Sequence, residues 1–269
     1  MENRQNLHLL HKTVGETPNQ CILRFKKDNP EYEDKSMTYA GRLDPMAEGL
    51  LLVLSGEKIK EKEKYLTLPK TYEFEVLWGF STDTADLLGL QVEGYKVHKV
   101  EKENVEKMLE KSVSKFEQMY PAYSSRPVSG SSLLGFGETK KPLFQWAREG
   151  KISEVLIPKH KVEIFEAQYI GRRLIPKDEL LKEIISKVEN VSGDFRQKEI
   201  IERWKEILKD SEEKEFIIDK ISIKVSSGFY VRQFVSDLGR SFDASATTFH
   251  IKRTKIGNYE LGNSGRLDL

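Results

Sequence analysis

The chain has 269 residues, 38% of them hydrophobic, which is enough for a sizeable buried core. Charged residues make up 32%, yet the formal net charge is +1, so overall charge does not announce a nucleic-acid binder, although it can hide a basic face balanced by an acidic one. Cys21 is the only cysteine and the five histidines show no metal-ligand spacing, which excludes an intramolecular disulfide and cysteine-built zinc sites and argues against a metal enzyme.

In chain order, the N-terminal "MENRQNLHLLHK" carries no signal-peptide run, and no window approaches the ~18 apolar residues of a membrane span, so a soluble cytoplasmic protein is expected. "LLLVLSGEK" (50–58) predicts a short buried strand ended by Gly56, and the charged "EKIKEKEKYLTL" is helix-prone. In "KTYEFEVLWG" (70–79), Tyr72, Phe74, Val76 and Trp78 alternate with polar residues, the period of a half-buried strand. "STDTADLLG" (81–89) is polar and turn-rich, and Val105, Met108, Leu109 and Val113 take the spacing of an amphipathic helix. From Tyr120 to Lys141, Pro, Ser and Gly predict a long loop of functional length, followed by a short helix in "PLFQWAREG" and a strand in "VEIFEAQYI" (162–170). Residues 176–215 predict a charged helical hairpin. Ile221, Ile223 and Val225 alternate as a strand; after Gly228 the period changes, and Val231, Phe234, Val235, Leu238 and Phe242 share one helical face. Strands and helices do not alternate regularly, so the expected class is α+β, without a linker that would separate two domains.

Four residues stand out as carriers of chemistry. Asp44 in "GRLDP" lies between a glycine turn and an apolar run. An Asp-Pro most often begins a turn or caps a helix, but a carboxylate fixed at a cleft edge can act as nucleophile or base. Arg232 falls where a strand meets a helix start, a poor place for a cation unless it pairs with an anion such as a buried Asp. Tyr72 and Tyr230 read most simply as strand aromatics; as site residues they could stack on a nucleobase or move a proton.

The ordered set of short motifs resembles the TruB family of RNA pseudouridine synthases. The blocks are "HKTVGETP" (11–18), "AGRLDPMAEGLLLVLSGEK", "KTYEFEVLWGFSTDTADLLG", "QMYPAYSSRPVSG", "KPLFQWAREG", "SSGFYVRQFVSDLG" and "IKRTKIGNY" (251–259), which together cover most of residues 9–259. The resemblance implies the pseudouridine synthase catalytic fold, a central mixed, mostly antiparallel sheet flanked by helices and loops, in one domain over 1–269. Against that pattern, the chain shows apparent insertions at 131–140 and 176–215, and no C-terminal PUA RNA-binding domain, which many members carry, is expected. It implies an isomerase acting on RNA, in tRNA at the T arm (position 55), with no cofactor and no metal. Asp44 would attack the uridine and Arg232 would pair with it, while Tyr72 would stack under the base and Tyr230 would sit close to sugar and base. Lys12, Tyr39, Gly41, Arg42, Leu43, Pro45 and Arg148 would contact the substrate. Lys12, Arg42, Lys141, Arg148, Lys252 and Arg253 are the cations expected along the phosphate track.

The chain departs from the family pattern at named positions. Tyr39 stands where bacterial members have His. Arg42 gives the "GRLD" spelling of the related RluA and RsuA synthases, and Thr13, Ser227 and Phe229 replace the usual Pro, Lys and Thr. Another RNA target and a catalytically silent RNA binder are therefore the alternative expectations, with a hydrolase using Asp44 as a weaker third.

Overall fold

The computed structural model describes residues 6–92, 100–130 and 140–261. Among these, nine strands form one sheet. Its path runs β1 (Leu7–Lys12), β3 (Ala47–Ser55), β10 (Ala246–Ile256), β4 (Lys70–Trp78), β9 (Glu215–Val225), β8 (Lys159–Pro176) and β5 (Lys115–Met119). β2 (Met37–Tyr39) pairs with β3, and β11 (Tyr259–Glu260) with β10. Of the pairings in this sheet, only β10 against β3 is parallel, so the sheet is mixed and mostly antiparallel, as expected.

The period-2 alternation decides which face each side chain meets. On one face, Tyr72, Phe74, Val76 and Trp78 of β4 join Ile221, Ile223 and Val225 of β9. They pack under α3 (Lys102–Ser112) and α7 (Val231–Ser241) through Val105, Leu109, Phe234, Val235 and Leu238. On the other face, Leu77 of β4 and Phe216 and Ile218 of β9 meet α5 (Lys177–Glu189) and α6 (Gln197–Asp210) through Leu180, Ile184, Ile200, Trp204 and Leu208. Burying side chains of this size is worth roughly 1.5–3 kcal/mol each. The predicted helical hairpin therefore closes a second core and is not a solvated surface elaboration.

Several elements lie outside the sequence-based expectations, β1 and β10 among them. β1 shows little alternation, being half-buried along most of its length. β10 carries register shifts at Thr248/His250 and Arg253/Lys255, which blur its period. α1 (Pro18–Asp28) is short of buried residues but has a readable start: Thr17 and Gln20 form a reciprocal capping box, with Pro18 at the first helical position. The remaining segments are α2 (Lys62–Leu66), the pair β6 (Pro127–Ser129) and β7 (Lys140–Pro142), and α4 (Leu143–Arg148). Of the insertion expected at 131–140, residues 131–139 lie outside the described residues, and Lys140 opens β7. Among the described residues, no helix is long and apolar enough to cross a membrane.

Candidate active site

Asp44 occupies the loop between β2 and β3, and that loop has few ladder partners of its own. It is closed instead by buried cations from two other strands. Lys12, at the end of β1, is fully buried and its Nζ donates to the carbonyls of Thr13 (3.0 Å), Pro45 (3.4 Å) and Ala47 (2.5 Å). Arg253 of β10, 1% exposed, donates to the carbonyls of Leu50 (2.8 Å), Arg42 (3.3 Å) and Gly41 (3.1 Å). The amide of Gly15 adds a bond to Pro45 O at 2.9 Å. Gly15 has φ +93°, and a Cβ there would fall 2.2 Å from Asn190 O at the end of α5, so that contact requires glycine. Burial lowers the Lys12 ammonium to about 8, against the opposing pull of the Glu16 and Asp44 carboxylates.

Arg232 sits in the first turn of α7 with its side chain 5% exposed, beside an Asp44 side chain that is 34% exposed. Its Nε and Nη2 both reach Asp44 Oδ2, at 2.9 and 2.8 Å. Its Nη1 donates to Thr84 O at 2.6 Å, Nη2 also reaches Tyr123 O at 3.5 Å, and Asp86 Oδ2 lies 3.5 Å from Nε. Asp86 is buried and accepts bonds from the Thr84 hydroxyl (2.7 Å) and the Leu88 amide (3.0 Å). Burial pushes the Asp86 carboxyl up against the opposing pull of Arg232. Burial alone would lower Arg232, but Asp44 and Asp86 outweigh it and raise the guanidinium, which stays charged. Because both bonds to Asp44 land on Oδ2, Oδ1 has no hydrogen-bond partner among the described residues.

The pair opens into a cleft of about 570 Å³ that Tyr72, Tyr230, Arg42 and Arg148 also line. Tyr72 comes from β4 and is 9% exposed. Tyr230 caps α7, and its backbone is clamped by buried Gln118, which donates to Tyr230 O (3.0 Å) and accepts from Tyr230 N (2.9 Å). Burial and the nearby Asp44 charge push the Tyr230 phenol up to about 12, so it is a neutral hydrogen-bond donor. Its ring meets Tyr120 and His160 edge-on at 5.7 and 6.0 Å, in a wall where those two stack at 4.1 Å. Lys70, 5% exposed, lines the same cleft and donates to Leu66 O (2.6 Å) and Ser227 Oγ (3.3 Å). Burial, with Arg253 adding to it, lowers Lys70 to about 8.

The structure thus brings Asp44, Tyr72, Tyr230 and Arg232 into one cleft with Gly41, Arg42, Leu43, Pro45 and Arg148. Two expected substrate contacts lie elsewhere. Lys12 is buried behind the loop, drawn inward by loop carbonyls that need donors. Tyr39 packs against Cys21, Ile22, Leu51 and Val53 on the far side of β2, under the Lys62 ammonium at 5.7 Å. Of the expected phosphate cations, Arg253 is buried in the loop staple. Lys141 pairs with Glu149 and covers the Trp146 ring at 3.9 Å. Arg42 and Lys252 are exposed, and Arg148 faces Asp194 at 3.5 Å. Asp86, Gln118 and Lys70 were not singled out in the sequence, although each lies inside a quoted motif.

A family model described as TruB family pseudouridylate synthase (N terminal domain) matches residues 30–187. The chain belongs to this family. It is 30% identical over 254 residues to the tRNA pseudouridine synthase B of Bacillus subtilis (strain 168), covering 94% of this chain and 65% of that one. It is 28% identical over 253 residues to the tRNA pseudouridine synthase B of Malacoplasma penetrans (strain HF-2), covering 94% of this chain and 85% of the relative. Among solved structures, a Cbf5-Nop10-Gar1 complex matches with a TM-score of 0.54 at 12% identity, over 96% of this chain and 51% of that chain. An H/ACA RNP bound to a substrate RNA containing 2'-deoxyuridine matches with a TM-score of 0.51 at 10% identity, over 96% and 50%. The chain therefore spans about two thirds of the Bacillus relative and about half of the solved chains, and these structures share its fold.

Proposed function

We propose that this protein is a cytoplasmic tRNA pseudouridine synthase that isomerises a uridine of the T arm, position 55, with residues 1–269 as one catalytic domain. The observation that carries the reading is Asp44 at the cleft, held on one carboxylate oxygen by Arg232 while the other has no partner among the described residues. Asp44 attacks the extruded uridine at C6 of the base or at C1′ of the ribose. The C1′–N1 bond breaks, the base turns, a C1′–C5 bond forms, the bond to Asp44 breaks to free the carboxylate, and the proton lost from C5 is matched by one taken up at N1. Atoms balance within the nucleotide, so the reaction consumes no second substrate. Tyr72 offers a platform for the flipped base, offsetting part of an unstacking cost of a few kcal/mol. Arg42 and Arg148, both at the cleft, supply cations for the adjoining phosphates, so RNA affinity falls as salt rises. The names of the curated relatives support tRNA as the substrate.

Arg42 favours a second reading, a different uridine or RNA, because it stands where family members usually carry a small residue. The test is tritium release from C5 of uridine in a labelled T-arm stem-loop, with wild type and Asp44→Asn in parallel. Release by wild type alone supports the nucleophile and the T arm together. Release only from other RNAs favours the second reading, and no release from any RNA favours a silent binder.

A further inference from the structure

The turn joining α5 to α6 is far in sequence from Asp44, yet its Asp194, Phe195 and Arg196 line the same cleft. Arg196 has φ +65°, left-handed backbone that a non-glycine residue rarely adopts and that its surroundings must enforce. The enforcement is visible. Gln197 accepts from Phe195 N (2.9 Å) and donates to the carbonyls of Val191 (2.9 Å) and Gly193 (2.7 Å), which fixes the turn.

The Arg196 side chain then forks onto one carboxylate: Nη1 to Asp83 Oδ2 at 2.8 Å and Nη2 to Asp83 Oδ1 at 3.2 Å. Asp83 also accepts from the Tyr123 hydroxyl (2.9 Å) and the Leu90 amide (2.9 Å), and the guanidinium lies over the Tyr123 ring at 5.3 Å. One ion pair therefore joins three segments: the hairpin turn, the 81–92 loop and the 120–126 loop. The last two supply three of the four groups around the Arg232 guanidinium, namely Thr84 O, Asp86 and Tyr123 O; the fourth is Asp44 itself.

We infer that Arg196 is a positioning residue for the Asp44–Arg232 pair, acting from the helical hairpin through Asp83 and Tyr123. The planar fork suits this role, because it fixes direction as well as distance. Asp83 cannot shift without moving Thr84, its neighbour in sequence, and Tyr123 cannot shift without moving the carbonyl that Arg232 contacts. The hairpin, whose helices close the second core, thus reaches the Arg232 guanidinium through its turn.

The kinetic arm of the test rests on the synthase reading above. Single-turnover tritium release at saturating enzyme is compared for wild type, Arg196→Ala, Arg196→Lys and Tyr123→Phe, with RNA affinity measured for the same variants in an Asp44→Asn background. Arg196→Ala is expected to slow the step by about 10- to 100-fold, the usual effect of a displaced catalytic geometry, with affinity unchanged. Arg196→Lys should not restore the rate, since an ammonium cannot make the fork, and Tyr123→Phe should lower it in the same direction by less. A loss of affinity at unaltered rate would make Arg196 a phosphate contact and overturn the inference, as would no change in either quantity. A separate arm needs no turnover: nitrogen NMR of the Arg232 Nε–H, whose exchange should quicken in Arg196→Ala and in Tyr123→Phe. If wild type acts on no RNA, the synthase reading fails, and unaltered Arg232 exchange would by itself overturn the positioning role. Should Arg196→Ala not fold, Tyr123→Phe carries both arms.

Discussion

Replacing Arg232 by Met tests whether the buried charge pattern at the site is a matter of electrostatics or only of shape. The side chain keeps most of its apolar volume, while Asp86, 4% exposed, loses the one cation beside it among the described residues and Thr84 O loses its donor. Breaking a buried pair from one side costs about 3–5 kcal/mol. Here the cost has a ceiling, because a stranded carboxylate takes a proton. At about 1.4 kcal/mol per pH unit, from an unfolded pKa of about 3.9, the ceiling is about 4 kcal/mol at pH 7 and about 1.5 kcal/mol at pH 5. The sign follows from the direction of the shift. Burial raises the folded carboxyl above its unfolded value, so the penalty is absent below the unfolded pKa and grows as pH rises toward the folded one. Urea unfolding of wild type and Arg232→Met at the two pH values measures the difference. The double variant Arg232→Met/Asp86→Asn should recover more than half of the lost stability at pH 7 without recovering tritium release. A pH-independent loss, or a double variant no more stable than the single one, would refute the electrostatic account.

Two further outcomes are expected. Gln118→Leu removes both bonds to the Tyr230 backbone; Tyr230 O keeps the bond it accepts from Phe234 N (3.1 Å), whereas the Tyr230 N–H loses its partner, at about 1–3 kcal/mol; urea unfolding should show that loss, and one below about 1 kcal/mol would mean water replaces the clamp. Lys70, lowered to about 8 from 10.5 by burial first and by Arg253 second, binds its proton less tightly folded than unfolded. Its penalty is present below pH about 8 and relieved as pH rises toward about 10.5, so wild type should gain stability on Lys70→Met across that window, and a flat difference would argue against a desolvated ammonium.

The parts of this molecule that announced themselves in sequence are those with local grammar. Alternation in 70–79 and the switch of period after Gly228 mark β4, β9 and α7, and the ordered motifs point to Asp44, Tyr72, Tyr230 and Arg232, which the fold places around one cleft. What stayed hidden depends on partners distant in the chain. Lys12 and Arg253 read as phosphate cations because nothing local reveals that carbonyls of the Gly41–Ala47 loop will draw them inside. Asp86 differs from Asp83 only in its final burial: one faces Arg232 in the interior, the other a half-exposed Arg196. Tyr39 shows the reverse error, a residue placed in the cleft by motif position that its strand turns toward Cys21 and Ile22.

The staple on the Asp44 loop also sets an order of events during synthesis. Its two cations sit at positions 12 and 253, so the loop cannot be closed until β10 has been translated and inserted between β3 and β4. A nascent chain carries the Asp44 carboxylate early, but in an unshaped loop until more than two hundred further residues have left the ribosome. Contacts of such sequence separation form late and slowly. Partial chains released early would hold a carboxylate without a site, and competence would arrive in a single step near the end of folding rather than by degrees.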